Sequence, residues 1–154
     1  MSKAFTKESD VPEPELGSVE PDLRLPPGAK NYVTPAGAAA LREELRRLSG
    51  TSGPAPEDQR RIRYLQRRID TEVVVDPTVS EKDRVRFGAT VSVRDEDGKT
   101  RTYRIVGVDE ADPKRGWISW VSPVAQALLN GALGDAVTLQ TPQGEEELEI
   151  LRIE

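Results

Sequence analysis

The run Trp117-Ile-Ser-Trp-Val-Ser-Pro-Val-Ala-Gln-Ala-Leu-Leu129 decides the fold class, because it passes from a strand pattern to a helix pattern across one capping residue. Trp117–Val121 is rich in aromatic and β-branched side chains and reads as a strand. Ser122 then stands as N-cap, with Pro123 at the first helical position, where its missing N–H costs nothing. Pro123–Asn130 reads as a short helix, and Gly131 and Gly134 punctuate its exit.

On either side of this run the period is two. Phe87–Val93 reads as a strand, Asp95-Glu-Asp-Gly98 as a hairpin turn and Thr100–Val106 as the return strand. A last hairpin follows, Ala136–Gln140, the turn Thr141-Pro-Gln-Gly144 and Glu145–Ile153. Leu148, Ile150 and Ile153 are expected to point inward, against outward Glu147, Glu149 and Arg152. One helix packed on a small antiparallel sheet makes this part an α+β domain.

Upstream of Val73 the period is helical. Thr34 caps a helix that opens with Pro35, and Ala38, Leu41, Leu45 and Leu48 form its apolar stripe. The breaker Ser49-Gly-Thr-Ser-Gly-Pro-Ala-Pro56 separates it from a second helix, in which Ile62, Leu65, Ile69 and Val73 form the matching stripe. Pro35–Leu48 and Glu57–Glu72 thus describe a short antiparallel helical hairpin. Helices of that length rise roughly 21–24 Å, and a seam so short is marginal alone. It must lean on the domain that follows.

Composition sets the outer limits. The chain has 154 residues, 36% of them hydrophobic, with no cysteine and no histidine. Disulfides and thiolate zinc sites are excluded, and so are the commonest metal ligand and the usual neutral-pH general base. Neither a metal nor a cofactor of its own is expected. No apolar stretch reaches the roughly 18 residues that suggest a bilayer span, and none follows Met1 as a signal core, so no membrane association and a cytoplasmic location are expected. A net charge of −5 argues against a free-standing nucleic-acid binder and for a protein partner. That charge is unevenly spread. Met1–Asp22 carries six acids against two lysines, whereas Pro35–Glu72 carries eight arginines against six acids. The segment Met1–Gly28 has scattered prolines and no period, and is expected to be a disordered acidic tail.

Several motifs then fall into one register. Phe87-Gly-Ala-Thr-Val, Thr102-Tyr-Arg-Ile-Val-Gly107, Asp109-Glu-Ala-Asp112, Ile118-Ser119, Ser122-Pro-Val-Ala125, Gly134-Asp135 and Thr141-Pro-Gln-Gly144 occur in the order and spacing of the GreA/GreB family of bacterial transcript-cleavage factors. Lys3-Ala-Phe-Thr-Lys-Glu-Ser9 and Asn31-Tyr-Val-Thr-Pro-Ala-Gly37 look like the start of GreB-type members, and Val73-Val-Val-Asp-Pro77 like the end of their hairpin. The chain resembles that family over nearly its whole length apart from one gap.

The resemblance implies an FKBP-like fold for the carboxy-terminal domain, and bacterial RNA polymerase as the partner, with nucleic acid met only through it. In the family that domain grips the rim of the polymerase secondary channel through a strand–helix corner, which corresponds here to Ile118–Ala125. The polymerase-binding residues implied are Ser119, Val121, Ser122, Pro123, Val124 and Ala125. The implied organisation is a tail over 1–28, a truncated coiled-coil hairpin over 29–75 and a polymerase-binding domain over 76–154, in a monomer. Acidic residues at the tip of the family's hairpin help hold a second Mg²⁺ at the polymerase active centre, where it activates water. Coordination distances of about 2.1 Å leave little tolerance, so reach decides whether that chemistry is available.

Here the chain departs from the pattern. Between Leu48 and Ile62 the family continues both helices to an acidic tip of the Asp-x-x-Glu-Asn-Ala type; this chain has Ser-Gly-Thr-Ser-Gly-Pro-Ala-Pro-Glu-Asp-Gln-Arg-Arg. Glu57 and Asp58 could substitute for the lost pair, but acids in a first helical turn are ordinary complements of the helix dipole. Before Ser122 the family usually has Asp or Asn, and here stands Val121, which offers no charge-assisted hydrogen bond.

The expectation is therefore a non-enzymatic regulator that binds polymerase without stimulating cleavage. A cleavage factor using Glu57 and Asp58 is the alternative. A prolyl isomerase is a third reading, opposed by only two Phe, three Tyr and two Trp to line an aromatic pocket. Three local readings complete the set. Arg60, Arg61, Arg63, Arg67 and Arg68 read as a solvated, ion-paired face, or else as a basic stripe toward RNA or polymerase acids. Asp109, Glu110 and Asp112 read as a turn rather than a metal loop. Of Trp117 and Trp120, at least one is expected in the core, and one could anchor an interface.

Overall fold

The computed structural model describes residues 25, 26, 28–79 and 82–154. The expectation for the acidic tail lies almost wholly outside the described residues. At its end Ala29 N–H donates to Pro26 O at 3.0 Å, closing a turn before the first strand.

The chain enters through β1 (Asn31–Val33), rises through α1 (Pro35–Ser49), returns through α2 (Pro56–Thr71) and leaves the hairpin in β2 (Glu72–Val74). Thr34 caps α1 as its sequence implies, its side-chain oxygen accepting from Gly37 N–H at 3.0 Å. At the far end α1 stops at Gly50 and α2 restarts at Pro56, whose cap residue Ala55 has no side chain to bond the free N–H groups. Leu41, Tyr64 and Leu65 form the buried seam, with Leu45, Leu48 and Ile69 packed against it. Val73 does not complete the stripe. The helix ends at Thr71, Glu72 turns to extended backbone, and Val73 is 37% exposed. The valines instead form β2, which pairs in parallel with β1, Asn31 opposite Glu72 and Val33 opposite Val74. This strand pair ties the two legs of the hairpin at its root.

The second body is a five-stranded sheet in the order β5-β4-β3-β7-β6, formed by β3 (Thr90–Arg94), β4 (Thr100–Val106), β5 (Trp117–Ser119), β6 (Ala136–Thr141) and β7 (Gly144–Ile153). The fold class is α+β, but the sheet is mixed rather than antiparallel, because β5 runs parallel to β4. The turn at Pro113–Arg115 reverses the chain and returns it to the sheet edge, a crossover that local periodicity does not reveal. The β3–β4 turn is as expected: Asp95 Oδ1 accepts from Asp97 and Lys99 N–H, and Gly98 takes the left-handed conformation at φ 84°.

Along β7, Leu148 and Ile150 are buried, and Ile153 packs on the same core although it is out of phase by one residue. A bulge explains it. Ser92 pairs with Arg152 and Val93 with Ile150, leaving Leu151 unopposed and resetting the alternation. α3 (Pro123–Leu128) lies on the sheet, with Ala125 and Leu128 fully buried among Val85, Val91, Val93 and Ile105. It is two residues shorter than the sequence suggests, because Leu129 leaves helical geometry at ψ 136° and Asn130 follows in the left-handed region at φ 71°.

Candidate functional site

Three places matter: the corner between β5 and α3, the hairpin tip, and the root where the hairpin meets the sheet. The corner is built from local hydrogen bonds. Ser122 Oγ accepts from Ala125 N–H at 3.3 Å, Ser122 N–H donates to Ser119 O at 2.9 Å, and Val121 N–H donates to Ser119 Oγ at 3.2 Å. Gln126 closes it by donating to Trp120 O at 2.7 Å. With its backbone groups paired internally, the corner is a rigid knuckle whose outward atoms come chiefly from Pro123 and Gln126. Ser119, Val121 and Ser122 are half-buried, and Val124 packs partly on the core. Ala125 must be withdrawn from the contact set. It is fully buried, because Ala125 and Leu128, three apart on the helix, form the face that packs on the sheet.

Trp120 is the core tryptophan. Its ring meets Tyr32 of β1 edge-on at 5.1 Å, and Tyr32 also meets Phe87 at 5.8 Å, so an aromatic trio joins hairpin root to sheet. Trp117 is half-buried on the opposite side of the run. It lines a cleft of about 330 Å³ between α1 and the sheet, with the guanidinium carbons of Arg104 and Arg115 at 5.1 and 4.9 Å from its ring centre.

The tip carries less. α1 and α2, of 15 and 16 residues, rise about 22 and 24 Å. Glu57 and Asp58 sit in the first turn of α2, and neither is ion-paired among the described residues. No group of three potential metal ligands gathers among the described residues.

The root holds what the sequence reading missed. The turn Asp109–Asp112 is a turn, but two of its acids reach into the hairpin. Arg68 donates through Nε to Asp109 Oδ2 at 2.7 Å, and both side chains are buried, at 4% and 5% exposure. Tyr64 OH bonds the other Asp109 oxygen, so the buried Tyr64 is part of the same clamp. Arg68 also donates through Nη2 to Asn31 Oδ1 at 2.7 Å, while Asn31 Nδ2 donates to Arg68 O at 3.0 Å. Glu110 takes the other leg: its Oε2 accepts from Thr34 and Gly107 N–H, each at 3.0 Å, and its Oε1 bonds the Thr34 hydroxyl. Arg68 therefore does not belong to a solvated face. Arg61 turns inward as well, forming a two-point pair with Glu44 of α1 at 2.8 and 2.9 Å. That hydrogen-bonded guanidinium holds the Glu44 carboxyl below its usual range. Arg60 and Arg63 remain exposed without an ion pair among the described residues.

Comparison with known proteins bears on the same regions. The family model "Transcription elongation factor, GreA/GreB, C-term" matches residues 80–154. Transcription elongation factor GreB of Neisseria meningitidis serogroup B is 40% identical over 153 residues, covering 81% of this chain and 94% of the relative. The chain belongs to the GreA/GreB family of transcription elongation factors. A GreA of Alkalilimnicola ehrlichii is 39% identical over 154 residues, covering 81% of this chain and 98% of that relative. Both alignments run over more residues than the covered part of this chain contains, so these family members have residues with no counterpart here. Among solved structures, the GreA/GreB factor of Nitrosomonas europaea is similar at 26% identity, covering 80% of this chain and 98% of that one with a TM-score of 0.43.

Proposed function

We propose that this elongation factor docks on bacterial RNA polymerase at the secondary channel, with 76–154 as the docking domain and the hairpin of 29–75 as a short plug that does not stimulate transcript cleavage. The observation that carries the second half is the hairpin itself. Its helices end after about 22–24 Å in an exposed loop, residues 50–55, that carries no acidic side chain. Glu57 and Asp58 complement the dipole of α2 and serve as first-turn acids. The first half rests on family membership and on the knuckle at Ser119–Val124, whose outward Pro123 offers a rigid apolar contact with little ordering cost. In this reading the chain acts through its partner and not as an enzyme.

Docking is tested by co-purification with core polymerase. Pro123→Arg places a charge on an exposed position without touching the core, and Ser122→Ala with Pro123→Ala removes cap and contact together. Both should weaken binding while the melting temperature of Pro123→Arg stays near that of the parent. Full binding by a folded Pro123→Arg protein would remove the corner from the interface.

A further inference from the structure

The cleft beside Trp117 lies in the angle between hairpin and sheet, and its electrostatics are unbalanced. Three acids line it, and all are engaged elsewhere: Glu44 with Arg61, Asp109 with Arg68, and Glu110 with Thr34 and Gly107. Two of its arginines are not matched in this way. Arg104 has no ion-pair partner among the described residues, and Arg115 has only a 3.5 Å approach to Asp112. Both guanidinium groups lie against the Trp117 ring. A guanidinium resting on an aromatic face keeps its N–H edge free and loses little freedom on bonding a carboxylate. Ala36 and Ala40 of α1 supply an apolar wall for a short methylene stem.

We infer that this notch receives an aspartate or glutamate side chain from a protruding segment of the protein on which the chain docks, held between Arg104 and Arg115. The inference rests on the docking proposed above and extends its footprint. Trp117 opens β5 and Ser122-Pro123 follow in the same run, so a short stretch of chain leads from the notch to the knuckle. A volume of about 330 Å³ suits one or two side chains, not a larger folded element. The hairpin root that forms one wall is fixed to the other by the buried Arg68–Asp109 pair, so the notch is preformed.

The test measures the affinity of the full chain for core polymerase across a salt series, for the parent, for Arg104→Gln with Arg115→Gln, and for Pro123→Arg. The double glutamine variant should bind at least about tenfold more weakly and with a shallower salt dependence, since it removes a charge pair. Pro123→Arg should weaken binding without flattening that dependence. Melting curves of the double variant should match the parent, which separates lost contact from lost fold. Unchanged affinity and salt slope in the double variant, with Pro123→Arg still impaired, would overturn the notch and leave the docking proposal standing. Absence of binding by the parent would overturn the docking proposal itself. Two further results would also overturn the inference by naming another occupant. One is loss of the variant's effect when Glu13, Glu15, Glu20 and Asp22 are changed to Gln or Asn, which would put this chain's own leader in the notch. The other is a parent dimer in sedimentation that the double variant dissolves, which would put a second copy there.

Discussion

The two ends of the hairpin are held in opposite ways. At the root, Asn31, Thr34, Tyr64, Arg68, Asp109 and Glu110 form a buried polar network that spans both legs and the sheet. At the tip, the bonds are local: Gly50 N–H to Arg46 O, Thr51 N–H to Leu48 O and Gln59 Nε2 to Pro54 O. Buried charges without partners are costly, so each member of the root network fixes the position of the others. The tip fixes nothing beyond its own turn. The molecule thus concentrates its long-range polar contacts at the angle between hairpin and sheet.

The largest expected effect lies at the centre of the root. Asp109→Ala takes the buried carboxylate away from the Arg68 guanidinium, which should cost about 3–5 kcal/mol. Chemical denaturation would register it, and hydrogen exchange should show α2 amides near Arg68 opening with it. A loss under 1 kcal/mol would mean that the clamp is not closed in solution. Next is Gly107→Ala, where a methyl group would collide with Tyr32 O and stand close to Glu110 Oε2. Backbone must shift to admit it, at about 1–3 kcal/mol. Thr34→Ala removes the cap of α1 and one partner of Glu110, and should cost about 1 kcal/mol, measured by the same denaturation.

A smaller effect depends on pH. Glu44 is held low by its hydrogen bonds from Arg61, so the folded chain binds its proton less readily than the unfolded chain does. The stabilisation is present above the ordinary Glu range and is lost as pH falls through the lowered value. Glu44→Gln should therefore narrow the stability difference between neutral and acidic pH; an unchanged profile would assign that difference to other carboxylates. At the tip, Ser52→Ala should change stability by less than about 0.5 kcal/mol. A larger loss would mean that the loop carries structure of its own.

This contrast also sets what could be read from the sequence. Thr34 and Ser122 as caps, the turn at Asp95–Gly98 and the bounds of β4 are local matters, decided within a few residues, and each stands in the structure as expected. Arg68 and Asp109 lie 41 positions apart, and neither residue signals the other. Arg68 looks like one more arginine on a basic helix, and Asp109 like one more acid in a turn. The parallel pairing of β5 with β4 and of β1 with β2 is non-local in the same sense. One missed feature did leave a trace: the spacing from Ile150 to Ile153 breaks the alternation, and a bulge is its simplest cause. The candidate corner was legible through its cap, but burial of Ala125 required the packing of α3.

The separation of a fixed root from an abbreviated tip is tested most directly by adding the full chain to a stalled, backtracked elongation complex and following the RNA 3′ end. The account predicts no cleavage above the intrinsic rate of the polymerase, because on the proposed docking, helices of about 22–24 Å would leave Glu57 and Asp58 short of the active centre. A cleaved 3′ fragment that appears with the parent chain and disappears on Glu57→Ala with Asp58→Ala would contradict it, and would make those two acids the metal-holding pair.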